Sequence, residues 1–298
     1  MDIKALERFV SDWGYSKNLK PIKKSHDKNK LISIIGAGPA GLSSAYFLAT
    51  YGFKVVVYER HSTPGGLLVE GIPAYRYPKE VFEKELRYIK DTGVEILLNQ
   101  NVDKDKFINI VEESDAVIVA TGAQSPGEIG IEGEFLENIY NGIEFLREIN
   151  FGNHEVLNIN KYDRIGVIGG GYTAFDVARV SVRLGANPFI IYRRTLNEMT
   201  AHPGEFEEAM REGVNFHFLR QPIKIEKVSN GLKLICQVMK LGPVDESGRS
   251  KPVPVKDKRE IATTKILTQN ISRRQPDWWW KQFHLKIEKV TLMRFCSP

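Results

Sequence analysis

Cysteine is nearly missing from this 298-residue chain: only Cys236 and Cys296 occur, far from each other. That scarcity excludes a disulfide framework, a zinc site of paired cysteines, an iron–sulfur quartet and a CxxC redox pair, and it makes a reducing cytoplasm the expected setting. No run reaches the roughly 18 consecutive apolar residues that a membrane span needs. The opening MDIKALERFV carries charges where a secretory signal has its apolar centre, so neither a membrane nor export is expected. A large charge of one sign is lacking too. The 42 basic and 37 acidic residues leave +5, with both signs mixed along the chain, which favours anionic ligands weakly and does not point to nucleic acid. Glycine stops at Gly248, although ordinary usage puts about three or four in a stretch of that length. The hydrophobic content, 42%, suffices for two domain cores and excludes a disordered or collagen-like chain.

Periodicity then gives the organisation. Ala5, Leu6, Phe9 and Val10 share one face of a short helix, followed by a Lys-, Asn- and Pro-rich linker from Lys17 to Lys30. From Leu31 the pattern is strand (Leu31–Ile35), glycine turn, helix (from Pro39, closed by Gly52) and strand (Lys54–Tyr58), with further apolar runs at Val94–Leu98 and Asp115–Ala120. It restarts at Arg164–Ile168, with a helix over Thr173–Leu184 and a strand over Pro188–Tyr192. Alternating strands and helices imply an α/β class with parallel sheets, here two Rossmann-like three-layer nucleotide-binding domains preceded by a short helix. The expected divisions are 1–30, 31–140, 141–257 and an atypical tail over 258–298.

Each restart carries a glycine fingerprint. Gly36, Gly38 and Gly41 form GxGxxG between a strand and a helix, with Pro39 and Ala40 in the turn, where free backbone N–H groups and the positive helix end hold a pyrophosphate. Glu59 ends the following strand, beside Arg60; its carboxylate suits ribose hydroxyls and repels a 2′-phosphate. Gly169, Gly171 and Ala174 form GxGxxA in the same context, with Tyr172 and Thr173 between, but here the next strand ends at Arg193 and Arg194. Guanidinium pairs suit the 2′-phosphate of NADP. FAD in the first site and NADPH in the second is the expectation that follows.

With these motifs in place, the chain resembles the small subunit of NADPH-dependent glutamate synthase and related FAD/NADPH electron-input modules. The resemblance rests on ALERFV (Ala5–Val10), GAGPAGLSSA (Gly36–Ala45), PGGLL with GIPAYRYPKEV (Pro64–Val81), VIVATGA (Val117–Ala123), IGGGYTAFD (Ile168–Asp176), YRR (Tyr192–Arg194) and EEAMREGVNF (Glu207–Phe216). It covers residues 1 to about 255. It implies that Gly65, Gly66, Leu67, Arg76, Thr121 and Gly122 lie near the flavin cofactor. It also implies hydride passage from NADPH to FAD, with electrons going on to a protein subunit or iron–sulfur protein. Such chemistry belongs to the cofactors, so no catalytic side chain and no metal ligand is expected, and His61 and His202 read as loop residues.

Two departures stand out. The cysteine-rich region that relatives carry ahead of this helix is lacking, and no Gly-Asp dipeptide occurs, although relatives bring one to the flavin in a returning segment. In its place stands a tail with Trp278–Trp280, read either as a partner site or as the product of a reading-frame change. The competing function is therefore a truncated, non-catalytic nucleotide-binding fragment that needs another chain to complete its FAD site.

Overall fold

In a computed structural model, residues 2–22, 26–123, 127–246, 248–269 and 290–292 are described. They fall into two compact units, one of Met1–Val69, Ala74–Gln124 and Gln275–Pro298, the other of Glu70–Pro73 and Ser125–Arg274. Trp278–Trp280 and Cys296 lie outside the described residues.

The first unit begins with α1 (Ile3–Ser16), whose Asp2 cap accepts a hydrogen bond from the Ala5 N–H at 3.0 Å. Its apolar stripe stays exposed, Phe9 at 66% and Val10 at 61%. The sheet follows: β1 (Leu31–Ile35), α2 (Pro39–Thr50), β2 (Lys54–Tyr58), a single turn α3 (Leu67–Glu70), α4 (Lys79–Lys90), β3 (Glu95–Leu97), α5 (Lys104–Glu113) and β4 (Ala116–Val119). β1 pairs in parallel with β2, from Leu31 opposite Lys54 to Ile35 opposite Tyr58, and with β4 on its other side. Both faces of β1 are covered, which is why Ile32 to Ile35 are buried without alternation, Ser33 included, whose hydroxyl meets that of Ser114 at 2.8 Å. Ile34, Ala45, Val57 and Phe107 are fully buried in this unit.

In the second unit a parallel sheet is built from β5 (Ile139–Asn141), α6 (Gly142–Asn150), β6 (Arg164–Ile168), α7 (Tyr172–Arg183), β7 (Asn187–Tyr192), α8 (Pro203–Arg211) and β8 (Asn215–Phe218). An antiparallel ribbon of β9 (Arg220–Val228), β10 (Gly231–Val244) and β11 (Ser250–Thr264) then packs on one face, burying Ile225, Leu232, Leu234 and Cys236 against Phe189 and Ile191. Arg179 on α7 is buried and pairs with Glu205, Glu208 and Glu212 at 3.1, 2.8 and 2.7 Å, fastening α8. A guanidinium taken out of water needs such partners. Hydrogen bonds from Arg179 and Arg183 hold the Glu212 carboxyl down at about 2.

Among the described residues beyond 257, the stretch expected to be an atypical tail, three strands contribute to the sheets. β11 runs through that boundary, and β12 (Ile266–Gln269) occupies the middle of the second sheet, parallel to β5 and β6, in the order β5-β12-β6-β7-β8. β13 (Val290–Leu292) pairs in parallel with β4 and completes the order β13-β4-β1-β2-β3 in the first sheet. The physical reason is burial on both faces: Ile266, Leu267 and Thr268 are all buried, and Leu267 has room because Gly166 lacks a Cβ, which would stand 2.9 Å from the leucine Cδ1. Thr264 Oγ1 accepts from the Gly166 N–H at 2.8 Å, closing the strand start. Leu267→Ala should therefore cost about 2–5 kcal/mol of unfolding free energy by denaturant titration, as a buried leucine does. A cost below about 1 kcal/mol would show that the strand is dispensable.

Candidate nucleotide sites

The first glycine turn is assembled from three separate segments. Gly36 has φ +102°, donates its N–H to the Tyr58 carbonyl at 2.8 Å, and sits so close to the end of β4 that a Cβ would lie 2.5 Å from the Ala120 oxygen and 3.3 Å from the Thr121 Cα. Gly41, the third glycine, is pressed against the Gly36 carbonyl. Gly66, with φ +51°, stacks on the middle glycine: its Cβ would be 3.0 Å from the Gly38 Cα, and the Gly65 N–H binds the Ala37 carbonyl at 2.8 Å. Gly38 alone of the three fingerprint glycines has nothing within 4 Å of its Cβ position. Open space there, at the N-terminus of α2 with Pro39 and Ala40 in its first turn, is the cradle a pyrophosphate needs. The residues present therefore fit a dinucleotide.

Glu59 is buried, and both its carboxylate oxygens accept backbone hydrogen bonds, from Ala37 N–H at 2.8 Å and from His61 N–H at 2.9 Å. The acid thus braces the glycine turn, and a carboxylate has further lone pairs for hydroxyls. Ala37 was not singled out in the sequence, yet its N–H is what orients that acid. Arg60 is exposed and donates to the His61 ring nitrogen at 2.9 Å. Leu67 opens α3 and is 42% exposed, the Arg76 guanidinium lies 5.5 Å from the Tyr75 ring, and Gly122 takes φ +70° just past Thr121. Gly65, Gly66 and Thr121 come together at the turn; Arg76 has Tyr75 as its ring neighbour.

In the second unit Gly169 takes φ +144° and donates to the Ile191 carbonyl at 3.1 Å, while Gly171 caps α7. A Cβ on Gly171 would meet only the Thr200 Oγ1, at 3.4 Å, whereas one on Gly170 would strike the Tyr192 ring at 2.6 Å. The open side of the turn again belongs to the middle glycine of the motif. Ala174 is fully buried under the helix, Tyr172 is 50% exposed at its first turn, and Thr173 is half-buried. Thr195 and Glu198 then form a capping box in which the Thr195 hydroxyl, donating at 2.6 Å, helps hold the Glu198 carboxyl below its ordinary range.

The two arginines part company. Arg193 is exposed at the end of β7. Arg194 is 5% exposed, donates Nε to the Ser250 carbonyl at 2.8 Å and is ion-paired with Asp245 at 2.6 Å. It anchors the β10–β11 hairpin, which differs from the expected engagement of both guanidiniums with a 2′-phosphate; Asp245, unremarked in the sequence, takes the second one. Among the described residues no group of three or more His, Cys, Asp or Glu side chains is arranged to hold a metal, and no helix is long and apolar enough to cross a membrane.

Residues 30–249, spanning both glycine turns, match the model of the pyridine nucleotide-disulphide oxidoreductases. The chain belongs to that family. This family member is 36% identical over 280 residues to the NADP(+)-dependent formate dehydrogenase subunit beta of Moorella thermoacetica, covering 85% of this chain and 39% of that one. It is 32% identical over 307 residues to the glutamate synthase (NADPH) small chain of Escherichia coli K12, covering 98% of this chain and 64% of the relative. The family expected from the motifs is thus found, and the second alignment runs past residue 255, where the recognisable motifs end. The chain spans less than two thirds of the length of either relative. Mycobacterium tuberculosis FprA in complex with NADPH superposes with a TM-score of 0.69 at 21% identity, covering 83% of this chain and 72% of that one, which shows the shared α/β fold. FAD and NADPH, expected from the fingerprints, are the cofactors of this family.

Proposed function

We propose that the first unit holds FAD, the second holds NADPH, and the chain serves as an electron-input module of the glutamate synthase small-subunit type. The observation that carries this is the contrast between two strand ends: a buried Glu59 beside one open glycine turn, and an exposed Arg193 beside the other. The carboxylate excludes a 2′-phosphate from the first turn and the guanidinium welcomes one at the second. When bound, the cofactors supply hydride transfer from nicotinamide to flavin. The chain's own part is placement: α2 and α7 aim their free N–H groups at the phosphates, and Gly38 and Gly171 leave room for them. The acceptor is a partner protein subunit or iron–sulfur protein; relatives named as subunits of glutamate synthase and formate dehydrogenase support that class.

The second reading is a nucleotide-binding fragment whose flavin site is completed by another chain. It draws on the lack of a Gly-Asp dipeptide, which the resemblance brings to the flavin. One experiment separates the two. Purified chain supplied with FAD is freed of excess flavin, then mixed anaerobically with NADPH or NADH. The module retains flavin, and NADPH bleaches its absorbance faster than NADH does. Binding of NADPH without retained flavin would support the fragment, and failure to bind either nucleotide would overturn both.

A further inference from the structure

The chain's surplus of +5 is concentrated in one element. Residues 220–264, the three-stranded ribbon with its turns, hold ten Lys and Arg against five Asp and Glu, so the remainder of the chain is neutral. On β9 and the beginning of β10 each cation has a carboxylate: Arg220 meets Glu260, Lys224 and Lys233 share Glu226, and Lys227 reaches Glu137 at 3.0 Å. Farther along the ribbon the matching stops. Lys240, Lys251, Lys256, Lys258 and Arg259 are exposed, and none has an ion pair among the described residues.

The backbone holds these cations together. Leu232, Leu234, Cys236 and Met239 are buried against the second sheet, so two-residue periodicity turns their strand neighbours outward. The register sets Arg259 opposite Gln237 and Val253 opposite Lys240 on that outer face, and Lys251, two residues before Val253, joins them. Between these pairings the register jumps and 255–258 bulge out, carrying Lys256 and Lys258. The Gln237 amide pins the bulge, donating to the Val255 and Lys258 carbonyls at 2.7 and 2.9 Å. The hairpin end is fixed by buried Arg194, which holds Asp245 and the Ser250 carbonyl. Aliphatic surface lies among the charges, Ile261 at 61% exposure two residues from Arg259 and Val244 at 66% by the hairpin end.

We propose that the outer face of the ribbon docks an acidic surface of another protein. Unmatched cations on a fixed scaffold draw in carboxylates and orient them, and the exposed aliphatic side chains give a contact from which water is expelled. A nucleic acid fits less well, because residues 220–264 contain no aromatic side chain on which a base could stack. A second copy of the chain would set like charges against each other. Lysines on an edge strand also guard it against pairing with other chains, but a guard gains nothing from an exposed isoleucine beside it. The proposal holds whichever nucleotide fills either turn.

The probe is a fluorescent glutamate–tyrosine copolymer, titrated with the full chain by anisotropy at physiological salt, where the Debye length is about 8 Å and local charge decides. Poly-L-glutamate and single- and double-stranded DNA are the comparisons. The copolymer should bind about tenfold more tightly than poly-L-glutamate, and Ile261→Ser should erase that advantage. Lys240→Glu, Lys251→Glu and Arg259→Glu combined should lower copolymer affinity by about a hundredfold. Lys54→Glu, Lys84→Glu and Lys104→Glu combined make the same change in net charge at exposed positions of the first unit and should cost about threefold at most. Circular dichroism checks the fold of each variant, and the glutamine versions of Lys240, Lys251 and Arg259, which reverse no charge, should still lose about tenfold. Absence of copolymer binding, equal loss from the two sets of reversals, or tighter binding of DNA than of the copolymer would each overturn the assignment.

Discussion

Arg193→Ala should lower affinity for NADPH by about ten- to a hundredfold and leave NADH binding nearly unchanged, since one charge-assisted hydrogen bond is worth roughly 1.5–3 kcal/mol. The exposed guanidinium at the end of β7 is the group available to a 2′-phosphate. Arg194→Ala should behave in another way altogether. Removing a buried arginine leaves Asp245 without its ion pair and the Ser250 carbonyl without its donor, so the loss falls on stability, about 3–5 kcal/mol, more than on nucleotide preference. Equilibrium binding of the two nucleotides, set beside denaturant unfolding of both variants, measures the division. If Arg193→Ala keeps its preference for NADPH, the site assignment at this strand end is wrong.

Gly38→Val should abolish flavin retention, weakening it by a few powers of ten, while the chain stays folded and its NADPH affinity stays put. The reason is geometric: protein atoms are absent within 4 Å of the new Cβ, so the branched side chain fills the ligand's space and nothing else. Its neighbours provide the contrast. Gly36→Val forces a β-branched residue into φ +102° against the Ala120 carbonyl, and Gly41→Val drives a side chain into the Gly36 carbonyl, so both should lose the folded turn itself. Flavin content and thermal midpoints of the three variants, measured together, distinguish a blocked site from a broken one. Equal loss of NADPH and flavin by Gly38→Val would refute the assignment of one cofactor to each turn.

The parts of this molecule that could be read in advance are those in which neighbours in sequence are neighbours in space. A strand, three glycines and a helix form a contiguous unit, so both turns and the α/β class were legible, and the open position at Gly38 follows from the motif's own spacing. PGGLL could be placed near the turn only by resemblance, and the structure supplies its contact, Gly66 on Gly38. What escaped involves distant partners. Nothing local tells Arg193 from Arg194; the difference is made by Asp245, 51 residues away, on a ribbon that curls back to meet it. Glu59 was legible as an acid at a strand end, but its hold on Ala37 and His61 depends on how tightly the turn closes. β12 is hard to read locally because ILTQ has only two apolar residues and no glycine turn, and looks like loop until the gap it fills is known.

That gap has a consequence for how the chain comes into being. β5 and β6 are made early and close together, yet they do not pair; the slot between them waits for β12, whose Thr268 reaches the Gly166 carbonyl across 102 residues. On the ribosome, the second sheet must therefore stand parted, with two unpaired inner edges, until Gln269 has emerged. Long-range closure of this kind is slow, and bare strand edges invite association with other chains. A nascent chain halted between β7 and β12 would hold a complete glycine turn on an open sheet, and would be a substrate for chaperones before it could be a receptor for a nucleotide.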